Sequence, residues 1–73
     1  MAVTVRLFAA AREAAGTDSL EVPAGPLVLP DLGPGFDKVV GVCTLLCDGR
    51  RVAVGDELTD GSVVDVLPPF AGG

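Results

Sequence analysis

The 73-residue sequence predicts one α+β domain, a small mixed β-sheet packed on one main short helix. Three observations predict it. Strand-type alternation opens and closes the chain, a helical apolar stripe lies between, and Asp48-Gly49 marks a hairpin in the second half. No linker or internal repeat divides the chain, so residues 1–73 read as a single domain, with 68–73 a projecting C-terminal tail. Apolar residues make up 49% of the sequence, enough for a core. Aromatics at 4%, with ten Gly and six Pro, make that core a lean one. A domain of this size buries only about 60% of the surface its unfolded chain exposes, so modest stability is expected.

Val3 to Phe8 is the first strand: Val3, Val5 and Leu7 share one face, and Thr4 and Arg6 the other. Ala9 to Ala15 is Ala-rich and closed by Gly16, which predicts a short helix with apolar contacts from Phe8, Ala11 and Ala15. Leu20 and Val22 alternate with Ser19 and Glu21 in a second strand, ended by Pro23. Gly25, Pro26, Pro30, Gly33 and Pro34 punctuate the next stretch, predicting a loop with one turn around Leu29–Leu32. Pro34 suits the first position of a helix. There Phe36, Val39, Val40 and Cys43 fall at i, i+3, i+4 and i+7, a single apolar stripe.

Thr44 to Cys47 reads as a buried strand, Asp48-Gly49 as a type I′ turn, and Arg51 to Val54 as the returning strand. Gly55-Asp56 and Asp60-Gly61 are further turns. Ser62 to Leu67 is the last strand, stopped by Pro68-Pro69 because proline cannot continue a ladder. This element order is that of a β-grasp sheet, with the first and last strands, the most apolar, at its centre.

Charge and composition exclude several functions. Ten Asp+Glu outweigh five Lys+Arg, for a net charge of −5. Without a basic cluster the chain is not expected to bind nucleic acid. With no His in the sequence, a histidine base is impossible. Arg6, Arg12 and Glu13 interrupt the apolar opening, so neither a signal-peptide core nor a membrane span is expected, and the chain reads as cytoplasmic. Cys43 and Cys47 are expected to be buried structural thiols, and two Cys without His give no metal site. Asp48, Asp56, Glu57, Asp60 and Asp65 cluster in the second half, where they serve solubility or complement basic partners.

The informative segment is the end. After Pro68-Pro69 come Phe70, Ala71, Gly72 and Gly73. Glycines lack Cβ, so such a tail can thread a narrow channel in another protein. The group it presents is the carboxylate of Gly73. A carboxylate is a poor electrophile, but adenylation turns it into a mixed anhydride open to sulfur or nitrogen nucleophiles.

The opening VTVRLFAAAREAAG, the middle LLCDGRRV and the ending DGSVVDVLPPFAGG together resemble the MoaD/ThiS family of ubiquitin-like sulfur carriers. The Phe-Ala-x-x-Arg-Glu-x-x-Gly opening is most similar to its MoaD branch, the small subunits of molybdopterin synthase. The resemblance implies a ubiquitin-like β-grasp fold and a non-catalytic carrier subunit of a sulfurtransferase complex. It implies that Gly73 is adenylated by an E1-like (MoeB-like) adenylyltransferase using ATP, then thiocarboxylated with sulfur from a donor enzyme. The sulfur would pass to a pterin precursor of molybdenum cofactor inside a complex with the large (MoaE-like) synthase subunit.

By the same resemblance Gly72 is the slim part of the tail, and Pro68, Pro69, Phe70 and Ala71 contact the partner. No cofactor or metal is implied for this chain. Arg12 and Glu13 match the family's Arg-Glu pair and read, from the residues, as a solvated face. Alternatives are a carrier for thiamine, cysteine or tungsten-cofactor synthesis, or a ubiquitin-like protein modifier. One departure stands out: family members have a longer amphipathic helix after the second strand, where Ala24 to Gly33 offers only PLVLPDLG.

Overall fold

The computed structural model describes residues 2–69. Its elements are β1 (Ala2–Leu7), α1 (Ala10–Ala15), β2 (Ser19–Pro23), β3 (Gly25–Pro26), α2 (Pro34–Val40), β4 (Thr44–Cys47), β5 (Arg50–Val52), β6 (Glu57–Leu58) and β7 (Val63–Leu67). Five strands form one mixed sheet in the order β2-β1-β7-β4-β5, and β3 and β6 form a separate two-stranded one. β1 and β7 run parallel, and the other neighbours in the large sheet are antiparallel.

The alternation read from the sequence decides which way the sheet faces. One cross-strand row sets Leu7 beside Val66, Val66 opposite Leu45, and Leu45 opposite Val52. A second sets Leu20, Val5, Val64 and Cys47 side by side. Val3, Val5, Val64 and Val66 have no exposed surface at all. Both strands that carry them are interior to the sheet, as expected, because only interior strands have neighbours on either side to exclude water. Phe36 of α2, Leu27, Leu58 and Ala11 of α1 close the core from the helical side. Burying a side chain such as Phe36 or Leu27 contributes about 1.5–3 kcal/mol.

The two short helices are joined to the sheet by local signals. α1 ends at Gly16 in the left-handed region (φ 78°), its amide donating to the Arg12 carbonyl. α2 begins with Pro34 at its first turn, where a missing N–H costs nothing. The β4–β5 hairpin turns on Asp48 (φ 52°) and Gly49 (φ 80°), both positive as a type I′ turn requires.

Three expectations need correction. No turn forms around Leu29–Leu32, and the chain from Leu27 to Gly33 is irregular. It is held instead by β3 pairing with β6, and by Leu27, whose amide donates to Asp56 and whose carbonyl accepts from Gly55, both at 2.9 Å. Two prolines deny the segment helical hydrogen bonds, so it borrows partners from the β5–β6 connection. Phe8 is not part of the core but is 36% exposed, with the Arg6 guanidinium 5.6 Å from its ring centre. Cys47 is buried as expected, whereas Cys43, three residues beyond the end of α2, is only half-buried.

Among the described residues no helix is long and apolar enough to cross a membrane. Phe70, Ala71, Gly72 and Gly73 lie outside the described residues.

Candidate functional site

The site is the root of the C-terminal tail. β7 is the middle strand of five, hydrogen-bonded to β1 on one side and β4 on the other. The tail therefore starts from the best-supported strand of the sheet, which places its base more rigidly than a loop would. Leu67 lies opposite Thr44, the last register pair before the prolines. Pro68 is half-buried and Pro69 exposed. Neither has an N–H to extend the ladder, so the sheet stops there. Of the sequence-predicted site residues, these two alone fall among those described.

β1 and β7 are parallel, so they end together. Leu7 pairs with Val66, and Phe8 and Leu67 then leave the ladder at the same end. Beside them on the solvent face, Arg6 and Asp65 sit directly in register. The Arg6 Nε donates to Asp65 Oδ1 at 2.7 Å and Nη2 to Oδ2 at 3.0 Å, a two-pronged ion pair. This bonding holds the Asp65 carboxyl below the usual carboxylate range and raises the Arg6 pKa. The pair orients the guanidinium so that it also lies over Phe8. Arg12 joins Arg6, Phe8, Asp18 and Ser19 around a shallow hollow of about 360 Å³. Arg12 and Glu13 are both exposed, as a solvated face requires.

The acidic cluster is less uniform than its sequence suggests. Asp65 is spent on Arg6. Asp60 accepts the Ala2 amide at 2.7 Å, and Asp56 accepts the Ala53 amide at 2.9 Å. Three of the five acids thus stabilise local backbone or a cross-strand pair. Asp48 in the hairpin turn has the Cys47 thiol 4.0 Å from its Oδ2, and Glu57 is simply exposed. The part of the site that sequence reasoning missed is Arg6, Phe8 and Asp65. Its signal was present: Arg6 and Asp65 both occupy outward positions on the two strands expected at the centre.

Among the described residues no group of three or more His, Cys, Asp or Glu is placed to hold a metal ion. The Cys43 thiol donates to the Val39 carbonyl at 3.1 Å, and burial pushes its pKa up. Both features disfavour the thiolate that a reactive cysteine needs. What this region offers chemically is a rigid base, an exposed aromatic and a fixed cation from which a side-chain-poor terminus departs.

The model of the ThiS family matches residues 5–73, which is nearly the whole sequence. The chain belongs to the ThiS family. It is thus a ubiquitin-like carrier protein of the ThiS/MoaD kind, a class of small, generally non-catalytic subunits. Solved structures share the fold over essentially the full length. Small archaeal modifier protein 1 (SAMP1) from Haloferax volcanii matches with a TM-score of 0.75 at 22% identity, covering 100% of both chains. The complex of subunits 1 and 2 of molybdopterin-converting factor from Helicobacter pylori contains a chain matching at 0.71 and 26%, again 100% of both. SAMP1 from Methanosarcina acetivorans matches at 0.72 and 26%, over 99% of this chain and 96% of its own. No curated protein matches the sequence. The expected ubiquitin-like β-grasp fold is therefore present, with its mixed sheet and short helices.

Proposed function

We propose that the chain is a sulfur carrier of molybdenum cofactor synthesis, acting in the cytoplasm as the small subunit of molybdopterin synthase. The observation that carries this reading is the match, over all of both chains, to a molybdopterin-converting factor subunit solved in complex with its partner subunit. The MoaD-like Phe8-Ala9…Arg12-Glu13 opening supports it. In this reading the Gly73 carboxylate attacks the α-phosphorus of ATP held by an E1-like activating enzyme, releasing pyrophosphate. Sulfide (HS−) delivered by a donor enzyme attacks the acyl carbon and displaces AMP, and after loss of a proton a thiocarboxylate remains. Within the complex with the large subunit, the thiocarboxylate sulfur bonds to a carbon of the pterin precursor. Water then cleaves its bond to the Gly73 carbonyl carbon, leaving the sulfur on the pterin and restoring the carboxylate.

Each tail residue then has a physical task. Gly72 and Gly73 keep the reactive end thin enough to enter a partner's channel. Pro68 and Pro69 stiffen its base, and Phe70 and Ala71 contact the partner. The chain itself binds no cofactor, since ATP belongs to the activating partner. The test is intact-mass analysis of chain with a free C terminus, after incubation with an activating enzyme, ATP and a sulfur donor. Replacement of one oxygen by one sulfur at Gly73 is expected, and its absence with a competent activating enzyme would overturn the proposal.

A second reading, a ubiquitin-like modifier joined through Gly73 to lysines of other proteins, is favoured by the two SAMP1 matches. Recovery of branched peptides carrying the chain's terminus on lysine would select it over the first.

A further inference from the structure

At the sheet edge remote from β2, an open apolar groove runs where β5 meets α2. It consists of two adjoining hollows of about 410 and 280 Å³, which share Val40, Gly41 and Val54 as walls. The first continues over Leu45 and Val52 to Thr44 and Arg51, and the second over Phe36 to Val28 and Asp37. Val54 is 58% and Val28 62% exposed. Water therefore meets a run of branched apolar side chains that the fold has left uncovered. β5 is an edge strand, so its outer ladder has no neighbour within the large sheet.

The two ends of the groove carry opposite charge. Arg51 lines one end and Asp37 the other. Among the described residues the one ion pair is Arg6–Asp65, which leaves both free to meet a ligand's charges. At the Arg51 end the wall includes Thr44 of β4, the strand next to the one from which the tail departs.

We propose that this groove receives an extended apolar segment of a partner protein, laid along the β5 edge with a carboxylate on Arg51 and a cation near Asp37. Edge strands accept a further strand through their unpaired backbone groups, while alternate side chains fill an adjoining pocket. The valines supply that pocket, and the charges set the direction in which the segment lies. The proposal is independent of the chemistry at Gly73, because it concerns a surface and not the terminus.

The test is an amide-resolved NMR titration of the full chain with a capped peptide of sequence Asp-Val-Ile-Val-Lys. Two control peptides are used, one with its three apolar residues changed to Ser and one with Asp changed to Lys. Shifts at Val28, Val40, Val52 and Val54 are expected with the first peptide and not with the Ser control. Arg51→Glu should weaken the first peptide roughly tenfold and restore binding of the Lys-for-Asp peptide. Val54→Asp, at an exposed position, should abolish the shifts while leaving the rest of the amide spectrum intact. If that variant unfolds, the Arg51→Glu charge swap decides alone. Shifts confined to the Arg6–Phe8 face, equal binding of the Ser control, or indifference to Arg51→Glu would each overturn the proposal. So would concentration-dependent shifts of the same valines without peptide, since these would assign the groove to a second copy of the chain.

Discussion

The β1–β7 pair and the stretch from Ala24 to Gly33 cover the same core by different means. In β1 and β7 every second residue is an apolar side chain with almost no exposure, and both strands are hydrogen-bonded on two sides. From Ala24 to Gly33 only Leu27 is fully buried, with Leu29 and Ala24 packed beside it. Its backbone is tied by the two-residue β3–β6 pairing and by the two hydrogen bonds of Leu27. The tail leaves from the first region. A carrier's terminus must be presented at a fixed place, and the interior strand supplies that. The cover, remote from that task, has been reduced to an irregular chain on a single anchor.

Truncating an anchor in each region should break the two differently. Leu7→Ala in β1 is expected to lower global stability by about 2–5 kcal/mol, the range for emptying a buried leucine site. Urea denaturation should show this as a fall in midpoint with little change in slope. Leu27→Ala is expected near the lower end of that range, about 2–3 kcal/mol, because an irregular chain relaxes into the space more readily. Native-state hydrogen exchange separates them further. The Gly55 and Leu27 amides should exchange through local opening, well before those of Val5 and Val64, and equal protection would erase the contrast drawn above.

A smaller effect of opposite sign is expected at the start of α1. Ala9 has φ 50° and ψ −124°, a conformation that a Cβ disfavours. Ala9→Gly should relieve strain of about 1–3 kcal/mol and lose about 0.5–1 in backbone entropy, a net stabilisation of about 1 kcal/mol. A thermal melt reads it directly, and destabilisation would show that Ala9 is unstrained.

The smallest effect concerns pH. Asp65 has its pKa lowered by Arg6 in the folded chain, so its contribution is present above the unfolded value of about 3.9. It is lost as pH falls through the folded value. Asp65→Asn should therefore slightly lower stability near neutrality and flatten the acid limb of a stability-against-pH curve. Because Arg6 is solvent-exposed the change is small, and salt should shrink it further.

How much of this was legible in the sequence depended on the range of the interactions concerned. The Asp48-Gly49 turn, Pro34 at the start of α2, Gly16 after α1 and the alternation of β1 and β7 are all local. Each depends on the φ preferences of one or two residues or on a period of two. β3 and β6 were not legible, because two-residue strands carry no period. The expected turn around Leu29–Leu32 failed because Leu27 found distant partners at Gly55 and Asp56 instead. Phe8 was misplaced for a similar reason. Its spacing suited the helix, but the parallel ladder and Arg6 draw it to the surface.

The candidate site divides along the same line. The sequence alone determined the Pro68-Pro69 stop, the Gly72-Gly73 ending and the acidic balance, because these are properties of residue identity that no packing can alter. The central place of the last strand followed from its apolar character, but only the tertiary structure decided the register in which Arg6 and Asp65, 59 positions apart, meet beside the tail's root. It also decided that most of the nearby acids serve the chain's own backbone. The reason is the parallel β1–β7 pairing: it joins the two ends of the chain, and nothing in either segment by itself encodes its partner.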